Sequence, residues 1–207
     1  MDDKNYWRKY YLTHSKPTIQ SSFAEFVLQY LDKNKNLLEL GCGNGRDTIY
    51  FSKNGLNCVG VDQICDEITF LNKNFASNNL KFICDDFTNL KNSSNDYIQF
   101  DYIYSRFTFH AIDEKQEKRT LNWISNHLNN GLFFVEARSI NDSMLAKGEK
   151  LSPNENFTNH YRRFLNLDDF VDKLKYLGFE ILFKIENCGL AVYKDDDPYV
   201  IRVIAHK

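Results

Sequence analysis

The sequence lacks the features that mark membrane, secreted and zinc-binding proteins. Its apolar runs are strand-sized, far shorter than the roughly 20 residues that a membrane-spanning helix needs. The first residues are polar and acidic, without the apolar core of a secretory signal. The five cysteines are scattered and form no C-x-x-C pair, which predicts neither a disulfide framework nor a zinc site. These absences predict a cytoplasmic protein without membrane insertion.

An excess of charge of either sign is also absent. The 26 lysine and arginine residues are balanced by 28 aspartate and glutamate residues, for a formal net charge of -2. Such a balance provides no basic field to attract nucleic acid or anionic lipid. With 207 residues, 43% of them hydrophobic, the chain suits one domain with an ample core. We therefore expect a single domain over residues 1–207 that does not bind nucleic acid.

Only three prolines and nine glycines interrupt the chain, so long elements are expected. Strands are predicted at Asn36–Leu40, Asn57–Val61, Leu80–Cys84, Phe100–Tyr104 and Gly131–Val135. Amphipathic helices are predicted at Asp47–Asn54, Asp66–Ser77, Glu114–Leu128 and Leu167–Leu177. The nearly continuous apolar character of the strands is typical of parallel strands covered on both faces. Their alternation with helices predicts a doubly wound α/β fold.

The end of the chain and two further segments depart from this alternation. Strands are predicted at Phe179–Glu186, Gly189–Tyr193 and Tyr199–Ala205 without intervening helices, so they must pair antiparallel. Residues 1–33 form an aromatic and helical cap segment in this interpretation. Residues 139–163 are polar and predict a long irregular insertion after a strand, where binding loops tend to lie.

The strongest motif is the glycine-rich turn from Gly41 to Gly45, which follows an apolar strand and precedes a helix. Closely spaced glycines allow a tight turn and close approach of the backbone to a ligand. The spacing is G-x-G-x-G, and Glu39 before it would repel a pyrophosphate but attract an ammonium or sulfonium group. Asp62 ends the next strand, where an acidic residue binds ribose hydroxyls. The pattern predicts a nucleoside cofactor with a cationic tail. S-adenosylmethionine is that cofactor.

With E-L-G-C-G-x-G at residues 39–45 and the acidic residue at position 62, the sequence resembles the class I S-adenosylmethionine-dependent methyltransferases. The resemblance implies a Rossmann-like α/β fold: a mostly parallel seven-stranded sheet with an antiparallel C-terminal hairpin and helices on both faces. It implies S-adenosylhomocysteine as product. The implied cofactor-binding residues are Glu39, Gly41, Gly43, Asn44, Asp62, Gln63, Asp85, Asp86, Phe87 and Ser105. For Asp85 and Asp86, a helix-capping role is an equal alternative.

Cationic residues gather where the acceptor of the methyl group should lie, at the carboxyl ends of the strands. We predict Arg106, His110 and Arg138 as catalytic residues. The predicted substrate-binding residues are Tyr6, Tyr10, Arg106, Glu136, Arg138, His160, Tyr161, Arg162 and Arg163. Because a guanidinium suits bidentate recognition of phosphate or carboxylate, these residues predict a small anionic or nucleotide-linked acceptor. Alternatively, each arginine pairs with a neighbouring carboxylate, and the N-terminal aromatic residues only pack.

Three segments also resemble small methyltransferases encoded with bacterial capsule and surface-polysaccharide synthesis: Y-S-R-F-x-x-H at residues 104–110, F-F-V-E-A-R-S at 133–139 and H-Y-R-R-F at 160–164. That resemblance implies O-methylation of a phosphoramidate group. The acceptor oxygen is then already anionic, whereas a sugar hydroxyl would need His110 or Glu136 as general base. A non-catalytic cofactor-binding subunit is the third alternative. No carboxylate cluster suggests Mg²⁺, so a metal-independent reaction is expected.

Overall fold

The computed structural model describes residues 4–14, 16, 17, 19–90 and 99–207. Its helices are α1 (Lys4–His14), α2 (Ser22–Leu28), α3 (Arg46–Lys53), α4 (Cys65–Phe75), α5 (Glu114–His127) and α6 (Leu167–Tyr176). Its strands are β1 (Asn36–Leu40), β2 (Asn57–Asp62), β3 (Leu80–Cys84), β4 (Phe100–Arg106), β5 (Leu128–Arg138), β6 (Glu149–Ser152), β7 (Glu155–Phe157), β8 (Tyr161–Arg163), β9 (Glu180–Asn187) and β10 (Val200–His206). No helix in these ranges is long and apolar enough to cross a membrane.

Seven strands form the central sheet in the order β3-β2-β1-β4-β5-β10-β9. The pairs from β3 to β5 are all parallel. Strand β10 inserts between β5 and β9 and pairs antiparallel with both. The strand order reverses between β1 and β4, and in such sheets ligands bind at the carboxyl ends of the strands near that reversal. The predicted doubly wound, mostly parallel sheet with an antiparallel C-terminal hairpin is confirmed.

Helices cover both faces of the sheet, as predicted. One hydrophobic core lies under α5 and α6 and includes Ile124 and Phe170. The other lies under α2, α3 and α4 and includes Phe23, Phe51 and Leu71. Because helices cover the sheet on both faces, the strands bury apolar side chains on both sides. This explains their nearly continuous apolar sequences.

The predicted strand at Gly189–Tyr193 is wrong. These residues form bends, and Tyr193 makes only an isolated bridge with Asp196. Both edges of β10 are already occupied by β5 and β9, so the connection between β9 and β10 has no free strand edge there to pair with. Instead, its Leu190 carbonyl accepts hydrogen bonds from Ser22 and Arg202.

The expectation of an irregular insertion at residues 139–163 is also wrong. Strands β6, β7 and β8 form a small antiparallel sheet. The fully buried Asn156 holds it to the preceding turn, because its amide donates to the carbonyls of Met144 and Lys147. These strands are short and largely polar, so they carry little of the apolar signal that reveals buried strands.

Two of the five cysteines form a disulfide, contrary to the sequence-based expectation. Cys65 begins α4 and Cys84 ends β3, and their Cα atoms are 5.0 Å apart. Since β2 and β3 are neighbours and α4 begins just after β2, the parallel sheet brings these two residues together. Cys42, Cys58 and Cys188 are free.

Candidate active site

The glycine-rich turn leaves β1 in a backbone conformation that only glycine adopts readily. Gly41, Gly43 and Gly45 have φ values of 69°, 54° and 72°. A Cβ atom on Gly41 would lie 2.3 Å from Cγ2 of Thr108, and one on Gly43 would lie 2.4 Å from the Tyr11 hydroxyl. The turn therefore contacts the segment after β4 on one side and helix α1 on another.

Asp62 lies directly beside this turn. The Gly43 N–H donates to Asp62 Oδ2 and the Ile64 N–H donates to Oδ1, each at 3.0 Å. Burial raises the pKa of Asp62, while these backbone donors oppose the rise. The Asp85 N–H donates to the Asp62 carbonyl at 3.1 Å, so the ends of β2 and β3 are held together. The glycine-rich turn, Asp62, Gln63 and Asp85 thus lie at one edge of the sheet.

The segment after β3 has both a capping role and a position near the turn. Asp86 Oδ1 accepts the Thr88 N–H at 2.9 Å and caps a short 3₁₀ turn, Phe87–Asn89. The Phe87 ring lies 3.6 Å from where a Cβ atom of Gly41 would stand. Phe87 therefore reaches the glycine-rich turn, and the side chain of Asp86 caps the 3₁₀ turn.

Three other residues predicted to bind the cofactor lie around the turn, and each makes hydrogen bonds with other residues of the protein. The Thr48 hydroxyl donates to the buried Glu39, and burial raises the pKa of Glu39 well above its usual range. Ser105 is fully buried, and its hydroxyl shares a hydrogen bond with the hydroxyl of Thr108. The amide of Asn44 donates to the His14 carbonyl at 3.2 Å, at the end of α1. Glu39 holds α3, and Asn44 holds α1, against the turn.

Helix α1 extends from the glycine-rich turn to the insertion. Trp7 packs on Tyr11 with ring centroids 6.4 Å apart, and its ring lies 5.1 Å from that of His160. The Tyr6 ring lies 4.3 Å from His160. Tyr10 is 37% exposed and stacks on His14 instead. Of the two predicted substrate-binding tyrosines, Tyr6 therefore contacts His160 and Tyr10 does not. Trp7 and Tyr11, one helical turn apart, lie on the same side of α1 as this contact.

Most of the predicted arginines pair with carboxylates. Arg106 Nε lies 2.9 Å from Glu136 Oε1, and Arg202 donates to the other oxygen of Glu136 at 2.7 Å. Arg138 pairs with Asp142 at 2.8 Å and also with Asp196. Arg202 thus donates to one oxygen of the fully buried Glu136, whereas Oε1 lies within ion-pair distance of Arg106 but accepts no hydrogen bond among the described residues.

The two neighbouring arginines of β8 differ in their partners. Arg163 is buried, donates to the Ile112 carbonyl at 3.0 Å and pairs with Glu117, away from the glycine-rich turn. Arg162 donates to the Thr158 hydroxyl and to the Asn159 side chain, and no carboxylate of the described residues lies within 4.0 Å of it. Burial and the charge of Arg138 lower the pKa of the Arg162 guanidinium. Arg162 is therefore a half-buried cation without an ion-pair partner in the described part of the chain, and the charges of Asp142 and Asp196 reach it only from a distance.

Two buried histidines lie beside Arg162. His110 and His160 are 5% and 4% exposed, and Nδ1 of each has no hydrogen-bond partner among the described residues. Burial and the nearby arginines lower the pKa of both, to about 3 for His160. Both imidazoles are consequently neutral at pH 7. We call Arg138, Arg162, His110 and His160 the acceptor cluster.

Phe107 and Thr108, which the sequence-based prediction did not assign, connect this cluster to the glycine-rich turn. Phe107 has an unusual φ of 56°, and its ring lies 4.4 Å from the Arg106 guanidinium and 5.3 Å from the His110 ring. Thr108 contacts Gly41 as described above. Tyr161 lies apart, since its hydroxyl donates to Glu155 at 2.6 Å. No group of three or more potential metal ligands occurs in the described ranges.

Comparisons with known proteins identify the family and the fold. A family model described as a methyltransferase domain matches residues 11–183. No curated protein matches the sequence significantly. Many solved structures share the fold, and the three that follow do so at low sequence identity.

A S-adenosylmethionine-dependent methyltransferase from Clostridium acetobutylicum is 20% identical, with 89% of this chain and 90% of that chain covered and a TM-score of 0.69. The 1,6-didemethyltoxoflavin-N1-methyltransferase of Burkholderia thailandensis, with bound S-adenosylhomocysteine, is 17% identical, with 89% and 76% covered and a TM-score of 0.68. A TehB-like methyltransferase from Corynebacterium glutamicum is 17% identical, with 99% and 97% covered and a TM-score of 0.66.

The family match spans the sheet from β1 into β9 and includes the glycine-rich turn, Asp62 and the acceptor cluster. The chain therefore belongs to the methyltransferase domain family, and it is a methyltransferase enzyme.

Proposed function

We propose that the protein transfers the methyl group of S-adenosylmethionine to an oxygen of a small anionic acceptor. Within that class we propose a phosphoramidate group on a nucleotide-linked precursor of capsular polysaccharide. The observation that carries the proposal is Arg162, a cation without a carboxylate partner in the described ranges, beside the unpartnered nitrogens of His110 and His160. The sequence resemblance to capsule-cluster methyltransferases supports the finer assignment.

The residues around the glycine-rich turn fit this cofactor. Gly41 and Gly43 have positive φ values and leave the backbone of the turn without side chains, although Thr108 and the Tyr11 hydroxyl pack beside it. Asp62 keeps lone pairs beyond those its two backbone donors use. Bound S-adenosylmethionine supplies an electrophilic methyl group and leaves as S-adenosylhomocysteine. The related methyltransferase that holds S-adenosylhomocysteine supports the choice.

The acceptor cluster lies on the side of the turn where Thr108 contacts Gly41. There the Arg162 guanidinium binds and orients an oxyanion, and the neutral imidazoles of His110 and His160 can each donate one N–H to it. An acceptor oxygen that is already anionic needs no general base. Holding it in line with the methyl group is worth roughly 7–11 kcal/mol of barrier when the alignment is good.

A hydroxyl acceptor is the second candidate, and one observation favours it. His110 is neutral with an unpartnered Nδ1, so it has a lone pair on one ring nitrogen with which to accept a proton. Glu136, the other base predicted from the sequence, keeps Oε1 without a hydrogen-bond partner among the described residues. Burial raises its pKa and the charges of Arg106 and Arg202 oppose that rise, so it is the alternative base in a hydroxyl reaction.

The two candidates separate in a product assay. The protein is incubated with labelled S-adenosylmethionine and either a phosphoramidate-bearing nucleotide or the same nucleotide-linked sugar without that group, and products are identified by mass spectrometry. The proposal predicts methylation of the phosphoramidate oxygen, strong loss in Arg162→Gln and retention in His110→Gln. Methylation of the sugar with the reverse order of losses would establish the hydroxyl reaction. Tight cofactor binding without turnover on any acceptor would indicate a non-catalytic subunit.

A further inference from the structure

Glu67 is a buried acid that neither the sequence-based prediction nor the reaction above uses. It lies in the first turn of α4, one helical turn before Leu71 and on the same helix face. The Leu71 methyl groups lie 3.1 Å from where a Cβ atom of Gly45 would stand, so this face of α4 packs against the glycine-rich turn. Glu67 is therefore directed toward the same edge of the sheet as Asp62.

The surroundings of Glu67 do not compensate its burial. Glu67 is only 5% exposed, and its Oε1 has no hydrogen-bond partner among the described residues. The titratable groups that act with it are Asp62 at the end of β2, Tyr11 on α1 and Cys42 in the turn. The cation of this pocket is Lys4 on α1, whose charge acts on Asp62. Its neighbour Asp66 differs, because it is exposed and pairs with Arg8 at 2.7 Å.

A buried acceptor without a donor costs free energy, and a second carboxylate beside it adds repulsion. Burial and the charge of Asp62 raise the pKa of Glu67 to about 7. Asp62, by contrast, accepts a backbone N–H on each of its oxygens. Glu67 thus adds to the Asp62 pocket a buried carboxylate oxygen that no described donor engages.

We propose that Glu67 is a second acidic ligand of the cofactor's nucleoside, which accepts a hydrogen bond from a ribose hydroxyl beside Asp62. The identity of the nucleoside rests on the proposed function. The role is in binding and not in methyl transfer, since the acceptor cluster lies on the other side of the turn, toward Thr108.

This role makes cofactor affinity depend on pH. An ionised carboxylate is a stronger acceptor than a protonated one, so a donated hydroxyl favours the ionised form and binding releases a proton. With a pKa of about 7, only about a tenth of Glu67 is ionised at pH 6. Affinity should therefore rise about tenfold between pH 6 and pH 8. His110 and His160, with lowered pKa values, do not titrate in this range.

The test is calorimetric titration of the full chain with S-adenosylhomocysteine at pH 6, 7 and 8, for the native protein, Glu67→Gln and the control Asp66→Asn. We expect the native protein and Asp66→Asn to bind about tenfold more tightly at pH 8 than at pH 6. Glu67→Gln should bind about tenfold more weakly than the native protein at pH 8, with no pH dependence. Against a 2′,3′-dideoxy analogue, the native protein and Glu67→Gln should bind alike.

Equal affinity of Glu67→Gln and the native protein at pH 8, or a flat pH profile in the native protein, would overturn the role of Glu67. The native profile needs no variant, so the test survives poor folding of Glu67→Gln. If S-adenosylhomocysteine binds tightly but Glu67→Gln has no effect, this inference alone fails. If it does not bind at all, the cofactor assignment fails with it.

Discussion

Arg162 and Arg163 are adjacent residues of β8, and substitution of each by glutamine should affect a different property of the enzyme. Arg162 donates only to neutral groups and lies in the acceptor cluster. Arg163 pairs with the buried Glu117 and donates to the Ile112 carbonyl. We therefore expect Arg162→Gln to impair turnover without loss of stability, and Arg163→Gln to lower stability.

The magnitudes follow from these environments. Removal of an arginine from a desolvated anion costs about 2–5 kcal/mol, and the half-buried position of Arg162 places it in the lower part of that range. At about 1.4 kcal/mol per factor of ten, kcat/KM should fall about 30- to 150-fold. Removal of one partner of a buried ion pair costs about 3–5 kcal/mol. Glu117 keeps Lys173 at 2.6 Å, so we expect about 3 kcal/mol for Arg163→Gln.

Two measurements distinguish the variants. Steady-state methyl transfer to the anionic acceptor gives kcat/KM, and thermal unfolding gives Tm. For a domain of this size, a loss of 3 kcal/mol lowers Tm by about 6–12 °C. Arg162→Gln should retain the native Tm within about 2 °C, since it loses only contacts near the surface. Arg162→Lys is the control for charge, and it should recover part of the activity without bidentate geometry.

If Arg162→Gln kept kcat/KM within about threefold of the native value, Arg162 would have no role at the acceptor site. The assignment of the two arginines would also be wrong if Arg163→Gln abolished turnover while its Tm stayed unchanged. That outcome would place the acceptor on the Glu117 side of β8.

Asp62→Ala should weaken binding of S-adenosylhomocysteine by about 1.5–3 kcal/mol in calorimetry, the range for hydrogen bonds to a charged group, and unchanged affinity would remove Asp62 from the site. Gly41→Ala should lower Tm more than the control Gly189→Ala, because both have positive φ but only the Cβ atom at Gly41 would clash, at 2.3 Å from Thr108; equal losses would contradict the close contact. His160 has a pKa of about 3 in the folded chain and about 6.5 when unfolded, so the unfolded state binds the extra proton as pH falls from 6.5 toward 3. The contribution of His160 to stability should then drop by up to about 1.4 kcal/mol per pH unit in that window, and Tm should fall less steeply with acid in His160→Gln than in the native protein.

The cofactor side of the site was largely predictable from sequence because its signals are local. The strand Asn36–Leu40, the glycines after it and Asp62 at the end of the next strand follow one another along the chain. Parallel strands place their carboxyl ends at one edge, so a correct strand pattern is enough to bring these residues together. The parallel pairing of these strands and the helices on both faces follow from the same alternation, whereas the order of the strands comes from the structure.

The acceptor side depended on contacts between distant residues. Arg106, Arg138 and Arg162 look alike in the sequence, but only the fold pairs two of them with carboxylates and leaves the third beside His110 and His160. A charge is compensated or free according to which groups share its pocket, and such groups lie tens of residues apart in the chain.

The structure of short polar segments also depends on contacts between distant residues. The strands of residues 139–163 depend on the buried amide of Asn156, and the bends at residues 189–193 follow from a β10 whose two edges are already paired. The bond between Cys65 and Cys84 depends on the adjacency of β2 and β3. Local patterns along the sequence determined the sheet and the cofactor turn, whereas only the tertiary structure decided which polar groups are paired, because pairing is a property of neighbours in space.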